Sequence, residues 1–234
     1  MRPVAFAALI ALIFEAASAK AAALALVLAI DVSASVTPES YLLQHDGIAR
    51  AFASPRLAEA ISAMPGGIEA LVLEWSDPDS IAVTVDWTRV ADASSADRYA
   101  AAVRATRRSS AGTTAIGPAL LAAAAAFDRL PEPAERRVID ISGDGIANFG
   151  LPPAAARDRI VAGGIAINGL AIEAEEPWLA GYYRNNVIGG PSAFVVIART
   201  FEDFASAMLQ KLLQEIADAS VGFNGFSPIR IYCI

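Results

Sequence analysis

The residues able to do chemistry in this chain fall in three short segments. Asp31, Ser33 and Ser35 form an Asp-x-Ser-x-Ser stretch directly after an apolar run. Thr114 closes a Gly-Thr-Thr loop that precedes another apolar stretch. Asp144 stands between two glycines just after a second apolar run. Two carboxylates and three hydroxyls are hard oxygen donors. Such a set suits Mg²⁺ or Mn²⁺, suits Ca²⁺ less well, and is not expected to suit zinc. Magnesium keeps several waters in its octahedron, so a few protein hydroxyls and two carboxylates are enough. One position then stays open for an outside ligand.

Other chemistries have little to work with. The 234 residues contain one histidine, His45, and one cysteine, Cys233. A thiolate zinc site, an internal disulfide framework and a multi-histidine metal site are therefore excluded. The only lysines are Lys20 and Lys211. The formal net charge of −7 supplies no basic face for a nucleic-acid backbone. With 55% hydrophobic and 18% charged residues, the chain has enough apolar mass for a packed domain and is not a disordered one.

The five donors need a scaffold that brings strand ends together. Residues 24–30 are continuously apolar, as in a strand buried on both faces. Pro38 suits the first turn of a helix running to about Ala53. Residues 68–75 and 81–87 read as two strands of a hairpin, joined by the turn-rich segment 76–80. Residues 92–106 read as a helix, and Ile116, Leu120, Ala123, Phe127 and Leu130 mark the apolar stripe of the next. Strands are predicted at 138–142, 165–172 and 193–198, alternating with helices at 152–162, 175–186 and 201–217. The pattern predicts an α/β domain, a doubly wound, mostly parallel six-stranded sheet flanked by helices with one antiparallel edge strand. Ligands of such sheets sit beyond the carboxyl ends of the strands, where strand order reverses. Asp31, Ser33, Ser35 and Asp144 fall there.

The chain resembles a von Willebrand factor type A (vWA) domain carrying a metal-ion-dependent adhesion site (MIDAS). The matching pieces are Asp31-x-Ser33-x-Ser35, Thr114 within residues 112–120, and Asp144 within 142–145. Residues 138–145, 167–172 and 187–191 are similar to the exported bacterial family DUF1194. The resemblance implies that Ser33, Ser35 and Thr114 bind the metal directly and that Asp31 and Asp144 do so directly or through water. It also implies a protein partner whose Asp or Glu carboxylate completes the metal sphere. Two positions depart from the usual pattern: Ala34 where glycine is common, and Gly143 where threonine often precedes the aspartate. Neither removes a donor.

Residues 1–19 read as a secretory signal peptide: Arg2, a short apolar stretch, then Ala17-Ser18-Ala19 as the cleavage signal. The vWA-like domain is assigned to 20–218, with no transmembrane segment after cleavage, and residues 219–234 form a tail fitting no element. The expected location is exported, periplasmic or secreted.

Two competing readings use the same residues. A metal-free structural scaffold would use the serines and aspartates only to cap helices and turns. A haloacid-dehalogenase-like phosphohydrolase would use Asp31 as nucleophile and residues 143–148 as a metal loop. It needs a second aspartate where Ser33 stands, and a lysine near the phosphate. Lys211 lies in the last helix, away from the motifs. A serine hydrolase would have His45 as its only base and lacks the Gly-x-Ser-x-Gly elbow. His45 is expected on a helix surface or half-buried. Asp140, inside an apolar strand, is expected either to support the site or to face an arginine. Asn148, Glu173, Glu175 and Glu176 read as solvated loop residues, and Asp77 and Asp79 as turn formers.

Overall fold

The computed structural model describes residues 21–224. Strand β1 (Ala22–Asp31) is buried along its whole length, as its apolar run requires. It is the centre of a six-stranded sheet of order β3-β2-β1-β4-β5-β6, made with β2 (Ile68–Trp75), β3 (Ile81–Val90), β4 (Ala134–Gly143), β5 (Ala166–Ile172) and β6 (Val195–Ala198). All neighbouring pairs are parallel except the β2–β3 hairpin, which places β3 antiparallel at one edge.

Alternation along β1 divides the core. Leu24, Leu26, Leu28 and Ile30 face α1 (Pro38–Phe52), α2 (Pro55–Ser62), α3 (Ala93–Arg104) and α7 (Phe204–Asn224). Ala25, Val27 and Ala29 face α4 (Ile116–Ala126), α5 (Pro153–Ala162) and α6 (Leu179–Asn186). Side chains of successive strand residues point to opposite faces, so one strand serves both layers.

The helices differ from the sequence reading in a few places. Helix α2 is additional: Ser54-Pro55 ends one helix and supplies an N-cap position and proline at the start of the next. The stripe of α4 leaves the α-helix at Phe127, where a 3₁₀ turn carries residues 127–129. Helix α7 starts at Phe204 and runs on to Asn224, so residues 219–224, expected in the tail, are helical. Ala219, three residues past Ile216, keeps the apolar stripe buried. The proposed signal peptide and Cys233 lie outside the described residues.

From β1 the chain builds outward through β2 to β3, and β4 then pairs with the other side of β1. The switch point therefore lies between β1 and β4. Ile30 pairs with Ser142 in that register, so Asp31 comes level with Gly143, and Asp144 follows at once.

Candidate metal centre

Four of the five predicted donors form a connected cluster at this switch point. The Ser33 amide donates to Asp31 Oδ1 at 2.8 Å. The hydroxyls of Ser33 and Ser35 are 3.2 Å apart, and Ser35 donates to Asp144 Oδ1 at 2.9 Å. Thr114 is buried and reaches the turn that carries Asp144: its methyl lies 3.9 Å from where a Cβ on Gly145 would stand.

The cluster carries a charge problem. Burial first, and the charge of the neighbouring Asp144 second, push the Asp31 carboxyl up to about 7. Asp144 is raised too, mainly by its own burial. Asp31 Oδ2 is buried and has no hydrogen-bond partner among the described residues. A buried carboxylate with an unused oxygen and a half-buried one, beside hydroxyls, fit a bound cation: it would neutralise both charges and use the orphan atom. Asp31, Ser33, Ser35, Thr114 and Asp144 are the residues able to hold it. No group of three or more His, Cys, Asp or Glu with metal-site geometry occurs among the described residues, so a cation held here would have to draw on hydroxyls.

Neighbouring loops hold the donors in place. Arg108 Nη2 donates to the carbonyls of Val32 and Ser33, each at 2.8 Å, while its Nε donates to Ser110 at 2.9 Å. One guanidinium thus ties the Asp-x-Ser-x-Ser turn to the loop before Thr114. Gln44 donates to the Asp31 carbonyl at 3.1 Å. Asp77 accepts both the amide and the hydroxyl of Thr113, at 2.9 and 2.6 Å. Those bonds hold its carboxyl below the usual range. Asn148 clamps Thr114 from both sides: its Oδ1 accepts the Thr114 backbone N–H at 2.9 Å, and its backbone N–H donates to the Thr114 carbonyl at 3.1 Å.

Glu74 anchors the same loop from the sheet. Its Oε2 accepts the Ser109 amide at 2.7 Å, and its Oε1 lies 3.0 Å from both the Tyr41 hydroxyl and His45 Nε2. Burial pushes the Glu74 carboxyl up, but bonds from His45 and Ser109 outweigh it, and the net shift is downward. His45 is therefore more buried than expected, because a fully buried carboxylate faces it. Asn148 and Asp77 also do more than expected, as does Glu173, which accepts the Ala180 amide at the start of α6. Arg108 and Glu74 belong to none of the sequence motifs. A charged residue inside an apolar run was a usable signal for Glu74; nothing local marks Arg108.

Asp140 points away from this cluster. It pairs with Lys211 in the core beneath α7, so it neither supports the site nor faces an arginine. Lys211, with no exposed surface, is committed to that pairing.

Residues 21–220 match the family described as Protein of unknown function (DUF1194). The chain belongs to this family. No curated protein matches the DUF1194 chain. Among solved structures it is similar to proximal thread matrix protein 1 from the mussel byssus, with a TM-score of 0.62 and 14% identity over 86% of this chain and 48% of that one. A second structure of the mussel protein, with a zinc-occupied MIDAS motif, gives a TM-score of 0.58 at 14% identity, covering 86% of this chain and 48% of the other. The von Willebrand factor type A protein from Catenulispora acidiphila gives 0.58 at 18% identity, over 83% of this chain and 42% of that chain. The DUF1194 chain spans less than half the length of each. At these identities the likeness shows the fold, which is that of a vWA domain.

Proposed function

We propose that the DUF1194 chain is an exported, metal-dependent protein-binding module. Asp31, Ser33, Ser35, Thr114 and Asp144 hold one divalent cation, magnesium or manganese first and calcium second. An Asp or Glu carboxylate of a protein partner takes the open position. The observation that carries this reading is the pairing of one buried and one half-buried carboxylate, both raised, with the linked Ser33 and Ser35 hydroxyls at the switch point. Without a cation the site would repel an acidic partner; with one it offers local positive charge on a chain of net charge −7.

The mussel protein's zinc-occupied MIDAS supports a divalent cation at such a site and goes against excluding zinc from it by donor chemistry. Zinc therefore belongs among the metals tested. The phosphohydrolase alternative loses its lysine, since Lys211 is held in the core by Asp140 and Glu215. No helix among the described residues is long and apolar enough to cross a membrane. Export rests on residues 1–19.

Calorimetric titration of EDTA-treated protein from Lys20 onward with Mg²⁺, Mn²⁺, Ca²⁺ and Zn²⁺ tests the site. One metal per chain is expected for the wild type and none for Asp31→Ala or Thr114→Ala, both still folded. Unchanged affinity in both variants would sink the assignment of the site to these residues.

A further inference from the structure

Tyr183 is fully buried, yet its hydroxyl has no hydrogen-bond partner among the described residues. An unpaired buried hydroxyl is costly, and a native core normally satisfies it. The way the side chain is accommodated shows where it is directed. Tyr183 rises from α6 under the sheet and passes two glycines that share one face of adjacent strands. A Cβ on Gly169 of β5 would stand 2.8 Å from the Tyr183 ring. A Cβ on Gly143 of β4 would stand 2.8 Å from its hydroxyl and 2.7 Å from Asp31 Oδ2. Real Cβ atoms do not approach this closely, so a Cβ at either position would push the Tyr183 side chain, or Asp31, out of its place. The two glycines clear a lane that ends between the Tyr183 hydroxyl and the unpaired oxygen of Asp31.

These two orphan atoms are complementary. Asp31 Oδ1 is already occupied by the Ser33 amide, which leaves Oδ2 as an acceptor. A tyrosine hydroxyl carries one O–H donor and a carboxylate oxygen only accepts, so the two atoms flanking the Gly143 gap match as donor and acceptor.

Resting on the metal-site reading above, we propose that Tyr183 is a positioning residue for the centre: in the metal-loaded protein its hydroxyl donates to Asp31 Oδ2 across the Gly143 gap, directly or through one water, and fixes the carboxylate that faces the cation. Groups that orient metal ligands in this way commonly contribute ten- to a hundred-fold to affinity.

The test compares wild type, Tyr183→Phe and Gly143→Ala by calorimetry with Mn²⁺ and Mg²⁺, and by thermal melting in EDTA. Tyr183→Phe keeps the ring and removes only the hydroxyl. It is expected to bind metal roughly tenfold more weakly, while melting in EDTA at or above the wild-type temperature. Gly143→Ala, which fills the gap, is expected to lose binding despite retaining Tyr183. Metal addition should also perturb the ultraviolet spectrum of a buried tyrosine in wild type but not in Tyr183→Phe. Equal affinity of wild type and Tyr183→Phe overturns the proposal and leaves the metal site standing. A drop in melting temperature without a change in affinity reduces Tyr183 to a packing residue. Absence of binding by the wild type overturns the metal site itself, and this proposal with it.

Discussion

The Ser35 hydroxyl lies 2.9 Å from Asp144 Oδ1, joining the turn after β1 to the turn after β4 across 109 residues of chain. The bond brings the second carboxylate towards the first, which raises Asp31 further than burial alone. The site is thus strained electrostatically when it holds no cation. Asp144→Asn removes the charge and keeps an oxygen for Ser35. In EDTA this variant should melt a few degrees above wild type, since relief of about 1 kcal/mol corresponds to roughly 2–4 °C in a chain of this size. With saturating metal the order should reverse, because wild type gains binding energy that the variant lacks. A variant less stable than wild type in EDTA would show that repulsion between the two aspartates is not significant.

Arg108 supplies three hydrogen bonds to backbone carbonyls on two loops. Its fork spans Val32 and Ser33 on one side and Ser110 on the other, a geometry a lysine ammonium cannot copy. Arg108→Ala should cost about 2 kcal/mol in urea unfolding, as expected for charged donors that are only partly exposed. It should weaken metal binding by about tenfold, because the Ser33 hydroxyl loses its fixed backbone. Arg108→Lys should recover less than half of either loss. Full metal affinity in Arg108→Ala would mean that the Asp-x-Ser-x-Ser turn holds its shape unaided.

Much of the architecture is legible in the sequence because apolar runs and helical stripes report burial directly. The six strands and the antiparallel hairpin follow from that pattern, and so does the meeting of Asp31, Ser33, Ser35 and Asp144 at strand ends. What escapes is pairing between distant polar residues. Glu74 and Asp140 are visible as anomalies in apolar strands, but His45 and Lys211, which pair with them, come from helices 29 and 71 residues away in sequence. The lane under Tyr183 escapes for the same reason: Gly143 and Gly169 become neighbours only through the β4–β5 register, in which Ile141 lies beside Gly169. Helix α2 escapes because Ser54-Pro55 punctuates an end and a beginning equally well.

Lys211 and Asp140 form an ion pair with no solvent-exposed side-chain surface on either partner. Lys211 also lies 4.9 Å above the Phe194 ring and 3.4 Å from Glu215 Oε1. Removing one partner strands a charge in the core. Lys211→Met should therefore destabilise by about 3–5 kcal/mol, whereas replacing both residues by apolar ones of similar size should be far less harmful. In urea unfolding, Asp140→Leu with Lys211→Met is expected to be more stable than either single variant. Additive losses would mean that the two side chains contribute independently. Metal affinity should stay within about twofold in the double variant, since Asp140 points away from the donors.

Glu215 sits in the same buried group and gives it a pH dependence. Its Oε1 accepts from Asn168, and its Oε2 lies 3.9 Å from Arg136. Burial raises its carboxyl first and the Asp140 charge second, to about 7, against the lowering effects of Lys211 and Arg136. The folded protein consequently holds this proton more tightly than the unfolded chain, whose carboxyl titrates near its ordinary value of 4.5. The stability the protonated group provides is fully present below that value and is lost as pH rises towards about 7. Glu215→Gln keeps an acceptor for Asn168 and cannot titrate. Its stability relative to wild type should therefore rise between pH 5 and 8 and level off above, measured by urea unfolding in EDTA so that metal linkage does not contribute. A difference independent of pH across that interval would mean that Glu215 remains ionised, neutralised by Lys211 and Arg136.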